Sequence, residues 1–468
     1  MGKMCSISGV ISKKQDNVFN HLMESLFDLK HRGSDSFGVS VNGRTVTSKS
    51  MALLRKKFVS GSAGIAHSRL EITGKQFQPL QFGNKSIAFN GQIYNFFEFT
   101  ESDSDVIFLK EFFEQELKNN SIEKAVNKFM QKANGEYAVA ILWNKKIYVF
   151  RDLFGIKPVW FGENDFFVAF SSEPKPLKKM NINFPLPLLP GSLLILSEKG
   201  IEVKKVFSFD LMKKKCSFKA SFSDLKKSFF ESIFLRTRNL NKAGIFFSGG
   251  VDSTLIAKAV SSVVAETELF SVGMQDSHDI NSAVKASEEL GLKLYNRILE
   301  KDELKDLALK SLSLLSFFDE MQLQLSVPEY AVCELAKKKG MRVMFSGQGS
   351  DEIFAGYHNY SKLFSSKNIS DEIWHSVFNL WSRNLYREDI VSMNFSLEHR
   401  IPFLDKEFLC TAMKIPVNQK IFSAEDKLRK RVLRKLALDF GISEEIALKP
   451  KKALQYGSGV SKHITKFF

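Results

Sequence analysis

The segment Phe246-Phe247-Ser248-Gly249-Gly250-Val251-Asp252-Ser253 carries the sharpest chemical signal in the chain, at the point where a strand gives way to a helix. Two glycines permit a tight turn in which backbone N–H groups converge. Ser248 and Ser253 add hydroxyl donors, and the new helix presents its positive end. That combination is an anion cradle sized for a chain of phosphates. It lacks the Gly-Lys-Ser of a Walker A loop, so γ-phosphoryl transfer is not the expected chemistry. The plain alternative is a glycine-rich turn with no ligand, and the Ser-Gly-Gly-x-Asp-Ser pattern between strand and helix weighs against it. A second element, Ser346-Gly347-Gln348-Gly349-Ser350-Asp351-Glu352, also follows a strand directly. Asp252 and Asp351 then both fall at the carboxyl ends of parallel strands, where ligands of open α/β sheets collect. Two carboxylates there suit Mg2+ held against pyrophosphate. Alone, Asp351 reads as a helix N-cap.

At the other end, Met4-Cys5-Ser6-Ile7-Ser8-Gly9 sets a cysteine almost at the chain start. Taken singly it reads as a small buried hydrophobe. Four islands accompany it: His31-Arg32-Gly33-Ser34-Asp35, His67-Ser68-Arg69-Leu70, Asn90-Gly91-Gln92-Ile93-Tyr94-Asn95 and Arg151-Asp152-Leu153-Phe154-Gly155-Ile156-Lys157-Pro158.

The elements that must position these groups change character near residue 210. Before it, residues 86–89, 137–143, 147–151 and 166–170 read as strands, with Asn144-Lys145-Lys146 as a hairpin turn. Helices are expected at 18–29 and 104–117. After residue 215, Leu225, Phe229, Ile233 and Phe234 fall on one helical face. Strands at 244–247, 269–273, 293–298 and 342–345 alternate with helices at 254–264, 280–290 and 329–338, and the last hundred residues read as mostly helical. Such alternation argues for a parallel sheet with helices on both faces. The boundary falls at about 205–215.

Composition excludes several classes. The 468 residues are 44% apolar and 25% charged, ordinary values for two or three globular domains. Cys5, Cys216, Cys333 and Cys410 show no CxxC spacing, so neither a zinc ribbon nor a disulfide framework is expected and a reducing compartment fits. No apolar run reaches the roughly 20 residues of a membrane span, and a cytoplasmic protein is expected. The net charge of +15 is spread along the chain, with short lysine clusters at 213–215, 337–339 and 449–452 beside 44 phenylalanines. That pattern reads as a solvated basic surface, not a nucleic-acid groove.

The Ser248–Ser253 motif resembles the PP-loop of ATP pyrophosphatases, which cleave ATP between the α and β phosphates. Cys5 and its four islands resemble the class II glutamine amidotransferase domain. Together with Glu398-His399-Arg400-Ile401-Pro402-Phe403-Leu404-Asp405 and Lys449-Pro450-Lys451-Lys452, the chain resembles the glutamine-dependent asparagine synthetases of the bacterial B type, from Cys5 to about Gly459. The resemblance implies an α+β N-terminal-nucleophile αββα sandwich at 5–205, followed by an α/β parallel-sheet PP-loop domain at 215–468. It implies that Cys5 attacks the glutamine amide with its own α-amine as base. Asn90 and the Gly91 N–H would receive the oxyanion. Arg69 would hold the substrate carboxylate, Asp103 and Gln92 its ammonium, while His31 and Arg32 serve as scaffold. Ammonia would pass through the interior to the second domain. There ATP and Mg2+ (Asp252, Asp351) would activate aspartate as an adenylate. Nucleotide contacts fall on Phe247, Ser248, Gly249, Gly250, Asp252, Ser253, Val272, Ser346 and Gly347, and Lys451 would lie near the phosphates. A homodimer is compatible with the family.

Three departures stand out. Met1, Gly2 and Lys3 precede Met4-Cys5, and glutaminase chemistry needs a free Cys5 amine, so Met4 is the expected start. Gln92 and Gln348 stand where the family carries Glu, and a neutral amide accepts no proton as a carboxylate does. The segment 319–326 (DEMQLQLS) lacks the family's Thr/Arg cluster. The alternative is an enzyme with the same halves that adenylates a different carboxylate, as β-lactam synthetase-like relatives do. Intact Cys5, Asn90 and Gly91 argue against it.

Overall fold

The computed structural model describes residues 5–69, 76–216, 219–316, 319–364, 368–450 and 453–464. Backbone contacts divide the chain into two units, Met1–Phe209 with Met393–Ser396, and Asp210–Ser392 with Leu397–Phe468.

In the first unit, thirteen strands are found among the described residues: β1 (Ser6–Ser12), β2 (Ser36–Val41), β3 (Arg44–Ser48), β4 (Ala63–Arg69), β5 (Leu80–Phe82), β6 (Lys85–Ile93), β7 (Gly135–Trp143), β8 (Lys146–Arg151), β9 (Trp160–Glu163), β10 (Phe167–Ser171), β11 (Leu186–Pro187), β12 (Ser192–Ser197) and β13 (Gly200–Lys205). They form two antiparallel sheets, in the orders β11-β9-β10-β1-β4-β2-β3 and β13-β12-β8-β7-β6-β5. Their facing sides interdigitate through every second residue, Ile7 and Ile11 of β1 meeting Ala138, Ala140 and Leu142 of β7 in one apolar cluster. Asn144 and Lys145 take φ values of 50° and 57°, the two-residue turn whose twist suits a hairpin, and join β7 to β8. Helix Phe19–Asp28 covers the first sheet at β1, β2 and β4. Helices Asp105–Glu116 and Ile122–Lys132 cover the second, and the Phe113 and Phe129 ring centres each lie 5.7 Å from that of Phe150 of β8, at tilted and edge-to-face angles. The layers are therefore helix, sheet, sheet, helix: the expected αββα sandwich.

The second unit is built on β14 (Lys242–Phe246), β15 (Glu266–Met274), β16 (Lys293–Leu299), β17 (Val343–Phe345) and β18 (Glu398–Arg400). All pair in parallel, in the order β16-β15-β14-β17-β18. The chain builds outward from β14 through β15 to β16, then returns to the other side of β14 as β17. That reversal is a topological switch point, and it opens a crevice at the carboxyl ends of β14 and β17.

Three expectations are corrected here. Leu225, Phe229 and Ile233 of helix Phe222–Thr237 are fully buried, but Phe234 is half exposed, because its bearing lies about 100° beyond the stripe of Ile233. The helix expected at 329–338 starts earlier and spans Glu320–Lys338. Pro328, which ordinarily marks a boundary, sits inside it, and Asp319 caps it by accepting from Gln322 N at 2.7 Å. Finally, Cys216 and Cys410 form a disulfide with Cα atoms 5.2 Å apart, against the expectation of none. A sequence separation of 194 residues leaves no local spacing by which to see the pair. Among the described residues no helix is long and apolar enough to cross a membrane.

Candidate functional site

The loop after β14 runs into helix Val251–Ser261, with Gly250 as its N-cap. Gly249 has φ +66°, and a Cβ there would fall on the Ser282 carbonyl. Only glycine satisfies both demands. Ser253 Oγ donates to Gly250 O at 3.2 Å and lies 3.4 Å from Ser248 Oγ, so both hydroxyls sit at the mouth of the turn. Across the switch point, Ser346–Gly349 leaves β17.

Between the two loops is a cavity of about 1180 Å³. The structure brings Phe247, Ser248, Gly249, Gly250, Asp252, Ser253, Val272, Ser346, Gly347 and Asp351 together on its wall. Lys451 lies outside the described residues; Lys449, two positions earlier, is on the wall and donates to Ser282 Oγ at 2.7 Å.

The two acid residues do not stand alone. Lys430, 1% exposed, places Nζ 2.7 Å from Asp252 Oδ2, 2.8 Å from Asp351 Oδ1 and 3.0 Å from Ser350 Oγ. Burial works against its charge, but the two carboxylates outweigh burial and raise the group above its ordinary value. Asp252 Oδ1 is buried with no hydrogen-bond partner. The donor set is thus two carboxylates with one oxygen unspent, which suits a hard cation that keeps water and phosphate oxygens in its shell. No group of three or more metal-ligating side chains occurs among the described residues. Lys430 was not singled out from the sequence; its place in the lysine- and arginine-rich 427–431 run gives no hint of a buried role.

Deeper in the cavity, Arg387 clamps Glu329 through two hydrogen bonds of 2.7 and 2.9 Å and donates to Gln322 Oε1 at 2.8 Å. His399 of β18 sets Nε2 2.6 Å from Ser346 Oγ, and its Nδ1 lies 3.7 Å from Glu388 Oε2. Arg387, Glu329 and Glu388 escaped sequence reading, and His399 was noted only as part of the Glu398–Asp405 motif, with no role given to it. The other charged residues of the Glu398–Asp405 motif are scaffold: Arg400 pairs with Glu398 at 2.6 Å, and Asp405 pairs with Arg236 at 2.6 Å while capping the next helix.

In the first unit, Cys5 leads directly into β1, where Ser6 pairs with Ser68 of β4. Continuing that register by one residue sets Cys5 opposite Arg69, whose side chain is buried. The two facing sheets are tied at this edge by His67, which donates from Nε2 to the Phe89 carbonyl of β6 at 2.9 Å. Burial drives the His67 pKa down to about 3, so the imidazole stays neutral. The next residue, Asn90, is fully buried, and neither its amide oxygen nor its amide nitrogen has a hydrogen-bond partner. Such a group is costly unless something else fills its valences. Gly91 has φ +138°, and a Cβ there would fall on the Glu136 carbonyl of β7. Gln92 continues β6, partly exposed. Asp103 is exposed in the loop before helix Asp105–Glu116, and Asp105 ties that loop to β6 by accepting from Ile93 N at 3.1 Å. Behind Cys5, Arg32 donates to the Cys5 carbonyl at 3.5 Å and to Glu173 at 2.9 Å, and His31 donates to the same carboxylate at 2.8 Å. Met4 and the residues before it lie outside the described residues.

The fold and the two sites thus define an N-terminal-nucleophile amidotransferase sandwich in one chain with a PP-loop-type ATP-binding unit. Comparison with known proteins agrees. Residues 224–384 and 367–466 match the asparagine synthase family, and residues 4–186 match the glutamine amidotransferase domain. The chain is 30% identical to a Methanocaldococcus jannaschii protein assigned as asparagine synthetase 1 (glutamine-hydrolyzing), over 99% of this chain and 95% of that one. It is 25% identical to Escherichia coli asparagine synthetase B (98% and 83% covered) and 26% identical to the human asparagine synthetase (97% and 84%). The chain belongs to the asparagine synthase family.

Proposed function

We propose that the protein makes L-asparagine from L-aspartate, ATP and glutamine, releasing glutamate, AMP and pyrophosphate. The observation that carries this reading is the switch-point cavity, where a phosphate cradle, two carboxylates and a buried lysine converge at the ends of β14 and β17.

In the second unit the Ser248–Ser253 turn binds the phosphate chain through backbone N–H groups and the two hydroxyls. Phe247, Val272, Ser346 and Gly347 border the nucleotide. Asp252 and Asp351 would hold Mg2+, which supplies charge neutralisation for the departing pyrophosphate. Lys430 keeps the two carboxylates together before substrate arrives, and Lys451 serves beside the phosphates. The aspartate β-carboxylate attacks the α-phosphorus and pyrophosphate leaves. Ammonia then displaces AMP from the aspartyl-adenylate.

In the first unit Cys5 attacks the glutamine side-chain amide. Its oxyanion is received by Asn90, whose unfilled donor suits that task, and by the Gly91 N–H. Arg69 takes the substrate carboxylate as a fork; Asp103 and Gln92 take its ammonium. A free Cys5 amine is the base, which requires that residues 1–4 be absent from the working enzyme. The reaction draws on cytoplasmic ATP, glutamine and aspartate, and the protein acts there.

Pyrophosphate release with Mg-ATP, ammonium and a panel of carboxylic acids tests the reading, with the amino-acid product identified. Aspartate-dependent pyrophosphate with asparagine appearing is expected; release only with another acid assigns the protein to a different acceptor. Intact mass of protein from its native host tests the Cys5 terminus, and a mass including Met1 would rule out glutamine as the nitrogen source.

A further inference from the structure

Attack of ammonia on an acyl-adenylate leaves a protonated nitrogen, and the amide forms only when that proton departs. Several acceptors on the cavity wall are already engaged. Gln348 is a neutral amide. Asp252 and Asp351 share the Lys430 ammonium. Glu329 is clamped from both oxygens by Arg387, and Glu352 accepts the Tyr357 hydroxyl at 2.7 Å.

One arrangement sets a basic nitrogen in line with a hydroxyl of the loop after β17. Gln348 N donates to Ser346 Oγ at 3.3 Å, and His399 Nε2 lies 2.6 Å from that same oxygen. With the Gln348 N–H directed at Oγ, the serine hydrogen points to Nε2. The imidazole proton is then on Nδ1, on the side of Glu388 Oε2 at 3.7 Å. All three residues line the cavity. Behind them, Glu329 and Glu388 are two carboxylates against the single guanidinium of Arg387. Two carboxyl groups beside one guanidinium form a cluster with high proton affinity, and His399 sits at its edge. Burial first, and then Glu329, push the Glu388 carboxyl well above its ordinary range, with Arg387 opposing and Glu352 adding to the rise. The cluster of Glu329, Glu388 and Arg387 therefore binds protons tightly.

Building on the asparagine-forming reading above, we propose that His399 is the proton acceptor of the ammonia step, reached through the Ser346 hydroxyl, with Glu388 as the residue that positions it and stabilises its imidazolium. The C–N bond forms at the β-carbonyl. One N–H proton passes to Ser346 Oγ as the serine proton passes to Nε2. The C–O bond to the phosphate then breaks, AMP leaves, and the imidazolium returns its proton to solvent. Ammonia plus acyl-adenylate gives amide, AMP and one proton, and no further reactant is needed.

The test separates the two half-reactions. Aspartate-dependent exchange of labelled pyrophosphate into ATP, without ammonia, reports adenylation. Asparagine formed from ammonium reports the complete reaction. His399→Gln keeps the ring's volume and a polar contact to Ser346 but no basic nitrogen. It is expected to cut asparagine formation at least ~100-fold, the ordinary span of a general base, while exchange falls less than threefold. Glu388→Gln is expected to move the acid limb of the asparagine pH profile to lower pH, since a weaker base loses its proton earlier. Gln348→Glu combined with His399→Gln should recover at least tenfold by restoring a carboxylate acceptor. Equal losses of exchange and synthesis in His399→Gln would reduce the residue to a loop support and overturn the proposal, as would wild-type synthesis in that variant. Absence of exchange in the wild-type enzyme would instead overturn the asparagine-forming reading, and this proposal with it.

Discussion

Lys430 joins two acid residues delivered by two different strand ends, with Nζ 2.7 Å from Asp252 and 2.8 Å from Asp351. Removing it leaves buried carboxylates without a counter-charge. Lys430→Met is expected to lower stability by about 3–5 kcal/mol and to slow aspartate-driven pyrophosphate formation at least ~100-fold. Added Mg2+ should raise the melting temperature of the variant more than that of the wild type, because both carboxylates are then left to it. Calorimetric scans with and without Mg2+ check this, and equal shifts would show that Asp252 and Asp351 do not hold the ion.

Asn90 makes the opposite prediction for stability. Its amide is buried without partners, so Asn90→Ala forfeits no hydrogen bond and should cost about 1 kcal/mol or less. Glutaminase turnover should fall ~100–1000-fold, as expected when an oxyanion donor is lost. Synthesis from ammonium should remain. A large loss of stability with unchanged glutamine hydrolysis would contradict the assignment.

Glu173 supplies an acid-side dependence. Burial alone would raise its carboxyl, but His31 and Arg32 outweigh it and hold the pKa at about 2, against 4.5 for the unperturbed group. A depressed carboxylate gives stability that is complete above about 4.5 and is lost as pH falls toward 2. The contribution is on the order of 3 kcal/mol. Urea denaturation should therefore show Glu173→Gln destabilised most at neutral pH, with the gap to wild type closing below pH 4.5. A gap independent of pH would contradict the pairing.

Lys420, in contrast, costs stability. It is 1% exposed, with Nζ 3.9 Å from Met413 Sδ and 6.0 Å from the Phe354 ring centre. Burial drives its pKa from 10.5 down to about 7. Between those values the unfolded chain binds more protons than the folded one, so stability rises with pH. Lys420→Met should stabilise the protein by about 2–4 kcal/mol at pH 7 and below, with the gain fading as pH approaches 10.5. A less stable variant at pH 7 would show that the site needs the ammonium.

What could be read in the sequence was whatever is local. The Gly249-Gly250 turn, the Asn144-Lys145 hairpin and the βαβ alternation each depend on neighbouring residues, and each is found in place. The three-residue β18 was not legible, because a strand that short has no alternation to display and exists only by pairing with β17. The roles of Lys430 and His399 were missed for a related reason: they depend on partners up to 178 and 53 positions away. The Cys216–Cys410 pairing is the extreme case. Helix Glu320–Lys338 was seen only in its second half, since Pro328 masks a cap that lies nine residues before it.

That helix has a further consequence. Met321, Leu325, Pro328, Glu329, Val332 and Cys333 line the cavity at intervals of three and four, one stripe along roughly 18 Å of helix. Glu329 is the stripe's single charged member. For an acceptor acid bound along this stripe, a longer or shorter acid would change which turn must carry a polar side chain. The phosphate-handling loops need not change at all. Divergence toward new acceptors can therefore proceed through a handful of substitutions on one helical face, with the ATP-cleaving machinery inherited intact.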